Sequence, residues 1–95
     1  MKPRYYDINM AYERLAHKII KKAIFEFKLY ARYIAKGKDV EFYIKECQDI
    51  IKFIKSEYFT IICNMPPEFI LKELKYYLEI VAIPYKYVII IMEGK

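Results

Sequence analysis

Apolar side chains recur at Ile8, Tyr12, Leu15, Ile19, Ala23, Phe27, Tyr30 and Ile34, the three-to-four-residue interval that lines up along one side of an α-helix. Ala16, Ile20, Ile24 and Ala31 widen the line into a broad arc. Asp7 or Asn9 offers a side-chain oxygen to cap the start, and Gly37 supplies a left-handed stop at the end. The spacing predicts one uninterrupted helix over 8–36, about 43 Å long. So long an apolar stripe is costly to leave in water, so the rest of the chain is expected to fold back along it.

The next segment has the right pattern to do so. Asp39 is placed to cap a second helix over 39–55, with Glu41 in its first turn and an apolar stripe of Val40, Tyr43, Ile44, Cys47, Ile50, Ile51 and Ile54. A connection of about three residues forces the two helices into an antiparallel hairpin. Residues 56–63 support two readings. Ser56 can cap a short helix, whereas Tyr58, Phe59, Thr60 and Ile61 favour a strand. Asn64-Met65-Pro66-Pro67 ends that segment, and Pro67 suits the first position of a third helix over 67–80, with Ile70, Leu71, Leu74, Tyr77, Leu78 and Val81 as its stripe. After Pro84, residues 85–92 read Tyr-Lys-Tyr-Val-Ile-Ile-Ile-Met, which has the composition of a β-strand. A strand needs a partner for its backbone. The partner is either 58–63 or the same segment of a second copy, which would give a homodimer through Tyr85, Tyr87, Ile89 and Ile91. The expected fold is therefore a mainly α single domain, 1–95, with a helical hairpin, a third helix and a short C-terminal β segment.

Charge is distributed unevenly over this plan. Residues 1–38 hold ten of the 17 Lys and Arg side chains against three carboxylates, and the remainder carries a slight acidic surplus. Arg14, Lys18, Lys21, Lys22, Lys28, Arg32 and Lys36 project within about 120° of one another, opposite the apolar stripe. Phe25 and Leu29 lie inside that arc and Tyr33 at its edge. A cationic face with an aromatic at its centre suits docking on an acidic protein surface, the aromatic serving as anchor. It equally suits tracking phosphates and stacking a base. The arc is also what an ordinary solvated helix face looks like, and the richness in Ile, Lys and Tyr matches AT-rich codon usage, which lowers the weight of each single lysine.

Reaction chemistry finds little to build on. The glycines are Gly37 and Gly94, so neither a P-loop nor a dinucleotide fingerprint is present. Cys47, Cys63 and His17 are too scattered in sequence for a zinc site, and no calcium loop occurs. Ser56 is the one serine and has no local pairing with His17. Glu41, Glu46 and Asp49 alternate with Lys45 and Lys52 and read as a solvated helix face, with Glu41 and Lys45 spaced for an ion pair. No catalytic residue, metal or cofactor is expected. No run reaches the length of a membrane span, and the first residues lack the apolar core of a signal peptide. With two cysteines outside any CxxC, a cytoplasmic location is expected.

From Asp7 to about Tyr76 the sequence resembles a group of small phage and prophage proteins from low-G+C bacteria to which no function is attached. The residues that carry the likeness are Asp7-Ile-Asn-Met-Ala-Tyr12 at the helix start, Ile19-Ile20 with Ala23, Glu46-Cys47 leading into Phe53-Ile-Lys-Ser-Glu-Tyr-Phe59, and Pro67-Glu-Phe-Ile-Leu-Lys-Glu-Leu74. Most are apolar and describe a fold; residues from Val81 onward fall outside the pattern. The likeness implies an origin on a mobile element and action by binding in the host cell, including inhibition of a host enzyme or of a defence system such as a CRISPR effector. It brings no catalytic residues with it.

Overall fold

The computed structural model describes residues 4–63 and 66–94, with side chains from Ala16 onward. Among these described residues five helices follow one another: α1 (Arg4–Ala35), α2 (Val40–Ile54), α3 (Glu57–Ile62), α4 (Pro67–Ile80) and α5 (Tyr85–Glu93). The described residues contain no strand.

α1 begins before Ile8, since no glycine or proline separates Arg4 from it, so Asp7 and Asn9 lie within the helix and not at its cap. At the other end Gly37 adopts φ +76°. Its amide donates to the Ile34 carbonyl (2.9 Å) and the Lys38 amide to the Tyr33 carbonyl (3.0 Å), which satisfies two carbonyls the helix leaves open. No atom lies within 4 Å of where a Cβ would sit on Gly37, so glycine is required there by the backbone and not by space.

Asp39 occupies the cap position of α2, but with a left-handed backbone (φ 39°, ψ 51°), and its carboxylate accepts no capping hydrogen bond. Side-chain capping needs an extended backbone at this residue, and the tight turn after Gly37 does not leave one. The hairpin is antiparallel as expected. The Cys47 Sγ lies 4.0 Å from the Phe27 carbonyl oxygen, and the Tyr43 ring meets Tyr30 at 5.3 Å and Tyr33 at 4.9 Å.

Residues 57–62 form a helix. The Ser56 hydroxyl accepts from the Phe59 amide (3.3 Å) and donates to the Phe53 carbonyl (2.6 Å), tying the end of α2 to the start of α3. That leaves a strand at 85–92 without its intrachain partner, and the segment is α5 instead. A helix satisfies its backbone internally, which a lone strand cannot do. It also turns Val88 and Ile91, three residues apart, into the core together. Two of its last carbonyls are received by α2 and the residue that ends it: Gln48 Nε2 donates to Ile90 O and Lys55 Nζ to Met92 O, each at 3.0 Å. Gly94 then closes it in the left-handed region. The strand face Tyr85, Tyr87, Ile89 and Ile91 therefore does not exist as one surface. Tyr85 is exposed, Tyr87 and Ile89 are half-buried, and Ile91 is in the core. An edge-strand dimer falls with it.

The core gathers Phe27, Ala31 and Ile34 from α1, Ile44, Cys47, Ile51 and Ile54 from α2, Phe59 from α3, Ile70, Leu74 and Leu78 from α4, and Ile83, Val88 and Ile91 from the C-terminal part. α1, about 48 Å long, is roughly twice the length of α2. Its excess sets the molecule's long dimension in an envelope of 54 × 21 × 20 Å. The radius of gyration of 15.7 Å exceeds the roughly 12 Å of a compact chain of this length for the same reason.

Candidate docking face on the first helix

Packing decides which part of α1 is free. Its core side presents Ala16, Phe27, Ala31 and Ile34 to the other helices. The opposite side carries Lys18, Lys21, Lys22, Arg32 and Lys36, all exposed. The first and last of these are about 27 Å apart along the helix. Between them Phe25 is 62% exposed, whereas Phe27, two residues on and rotated by more than half a turn, is 0% exposed.

Not every residue of the sequence-predicted arc joins this face. The Arg14 side chain lies outside the described residues. Lys28 is half-buried, and its Nζ sits 5.3 Å from the centroid of the Tyr77 ring. That cation–π contact commits Lys28 to the seam between α1 and α4. Leu29 is half-buried, and Tyr33 turns toward Tyr43 of α2. The face that remains is Lys18, Lys21, Lys22, Phe25, Arg32 and Lys36.

Between α1 and α2 lies a groove of about 450 Å³ with Ile19, Ala23, Ile50 and Phe53 among its apolar lining and Glu26, Glu46 and Asp49 among its charged one. Glu46 is half-buried here, unlike the exposed Glu41 and Asp49, so only part of the expected solvated carboxylate face is free in solution. Tyr30 also lines the groove. Its phenol titrates above the ordinary range, first because of burial and then because of the Glu26 and Glu46 carboxylates. Cross-helix proximity of Glu26 and Glu46 depends on the register of the hairpin, which the spacing within either helix does not encode. Cys47, buried beneath, has its thiol pushed up to about 12, by burial first and by Glu46 second. The thiolate is the reactive form, so this cysteine is inert.

The Ser56 hydroxyl is engaged in the α2–α3 joint. Among the described residues no group of three His, Cys, Asp or Glu side chains comes together in a way that holds a metal ion. No helix among them is long and apolar enough to cross a membrane.

A second exposed surface was not singled out from the sequence. Phe69, Tyr76 and Ile80 project outward from α4, opposite its core residues. The signal was present at i, i+7 and i+11, but it was overshadowed by the stronger stripe of Ile70, Leu74 and Leu78. In comparisons with protein-family models, with curated proteins and with solved structures, the chain matches none.

Proposed function

We propose that this chain is a non-catalytic binding protein that docks on an acidic surface of a protein partner through the outer face of α1. The observation that carries this is Phe25. A phenyl ring that is 62% exposed contributes little to the fold, yet it stands amid five exposed cations. Cations around such a ring steer an encounter and fix its orientation, while the ring supplies the desolvated anchor from which most interface energy comes. The likeness to small phage proteins suggests the class of partner: a host enzyme or a defence complex of the CRISPR type, whose working surface the protein would occupy.

The test is capture from a host lysate with three immobilised proteins: the wild type, Phe25→Ala, and a variant with Lys18, Lys21, Lys22 and Arg32 all changed to Glu. A protein retained by the wild type and lost at least about tenfold by both variants supports anchored docking. Loss in the four-Glu variant alone would mean charge attraction without an anchor and would sink the proposal as stated. Retention of DNA or RNA is the competing outcome. It is recognised by an affinity that falls with salt at about one log–log unit per phosphate neutralised.

A further inference from the structure

α4 carries two apolar faces, and the fold uses one of them. Ile70, Leu74 and Leu78 enter the core. On the far side Phe69, Tyr76 and Ile80 are 61%, 64% and 60% exposed. At 100° per residue these three fall within about 40° of one another, along some 16 Å of helix. Phe69 and Tyr76 line a shallow groove of about 450 Å³ together with Lys72, Glu73, Lys75 and Glu79. A helix needs one apolar stripe to join a domain, and a second aligned stripe of this kind marks a contact with another molecule.

We propose that the outer face of α4 pairs antiparallel with α4 of a second copy, about a two-fold axis near residues 74–76. The charges select a second copy as the occupant. Lys72 and Glu79 lie on the same flank of the stripe, about one turn on either side of its midpoint. A two-fold axis across the helix reverses its direction and keeps the flank. Lys72 of each copy therefore meets Glu79 of the other, giving two equivalent ion pairs. The same rotation sets Phe69 against Ile80 at both ends and brings the Tyr76 rings together near the centre. Glu73, on the other flank, is carried toward the Tyr77–Lys28 corner of the second copy, where a cation already stands.

The size fits a reversible dimer. With roughly 150–250 Å² per aromatic side chain, the exposed parts of the three residues amount to about 350 Å² per copy. With the stems of Lys72 and Glu79 added, two copies approach the roughly 1,000 Å² at which specific interfaces begin. The pairing does not depend on what α1 binds. Since α1 packs against the Tyr77 flank, both basic faces would end up on one side of the dimer.

Sedimentation of the full chain from about 5 to 500 µM spans the range in which such a contact is populated. The wild type is expected to form a dimer as concentration rises, and Tyr76→Asp to remain a monomer with an unchanged far-UV spectrum. Lys72→Glu and Glu79→Lys each face like charges twice across the axis and should weaken pairing about tenfold. An equal mixture of those two variants should associate again as a heterodimer, because each copy then offers the charge that the other lacks. A wild type that stays monomeric throughout would overturn the proposal. So would a dimer that survives Tyr76→Asp, or a mixture that fails to associate.

Discussion

Single residues in this chain are assigned by rotation about a helix more than by their chemistry. Phe25 and Phe27 are identical in type, yet one is free and the other fully buried. Cys47 shows the same effect on a titrating group. Its place on the core side of α2 puts it under α1, where burial and Glu46 hold the proton on sulfur to about pH 12. An unfolded chain releases that proton near the ordinary thiol range, around 8.5. Between these values the native state binds the extra proton, so stability is fully present below about pH 8.5 and is lost as pH rises toward 12. Tyr30 is also shifted upward and adds to the loss at its upper end. The wild type should lose up to about 1.4 kcal/mol per pH unit from the Cys47 thiol alone. Cys47→Ala, less stable at neutral pH through the small cavity it leaves, should show a visibly flatter decline. Equal slopes for the two proteins in denaturant titrations between pH 8 and 11 would rule this linkage out.

At the scale of elements, what was legible was what an isolated segment decides for itself. The stripes of α1, α2 and α4 are strictly periodic and the breakers between them strong, so these helices and the antiparallel hairpin could be read from the sequence. α5 could not, because Tyr85–Met92 has strand composition and became helical through its neighbours. Among the described residues no strand is available to pair with it, whereas Gln48 of α2 and Lys55 just after it stand ready to receive its last carbonyls. The candidate face followed the same rule. Its exposed cations and Phe25 were visible from one helix alone, but the diversion of Lys28 to Tyr77 depends on how α4 crosses α1. The turn between α4 and α5 was equally hidden, since its left-handed position is held by Ala82 (φ +64°) and not by glycine. The Ala82 amide donates to Glu79 O (3.1 Å) and the Ile83 amide to Leu78 O (3.0 Å), the same pair of closing bonds that Gly37 enables after α1. A Cβ in that conformation costs about 1–2 kcal/mol. Ala82→Gly should therefore stabilise the protein by roughly 0.5–1 kcal/mol in urea unfolding, even after the entropy that glycine adds to the unfolded chain. A destabilised variant would show that the turn is not strained.

For the molecule as a whole, the helical state of Tyr85–Glu93 changes what this segment is for. As an edge strand it would be an appendage for joining copies, and its removal would release an intact monomer. As α5 it is one wall of the core. Val88 and Ile91 are buried, and Tyr87, Ile90 and Met92 pack against the buried cluster. Complete burial of a Val or Ile side chain contributes about 1.5–3 kcal/mol, so this wall supplies several kcal/mol. A domain of this size has only about 5–14 kcal/mol in total. Removing the wall also takes the Ile90 partner from Gln48 and uncovers the side of α2 that α5 packs against, opening the shared core in which Cys47 is buried, while α1 already spends part of its length beyond the bundle. A chain ending at Pro84 should therefore lose most of its stability, with a broad thermal transition, strong binding of a hydrophobic dye and reaction of Cys47 with a thiol reagent at neutral pH. A truncated chain that melts sharply near the wild-type temperature, with Cys47 still protected, would show that α5 is dispensable to the core.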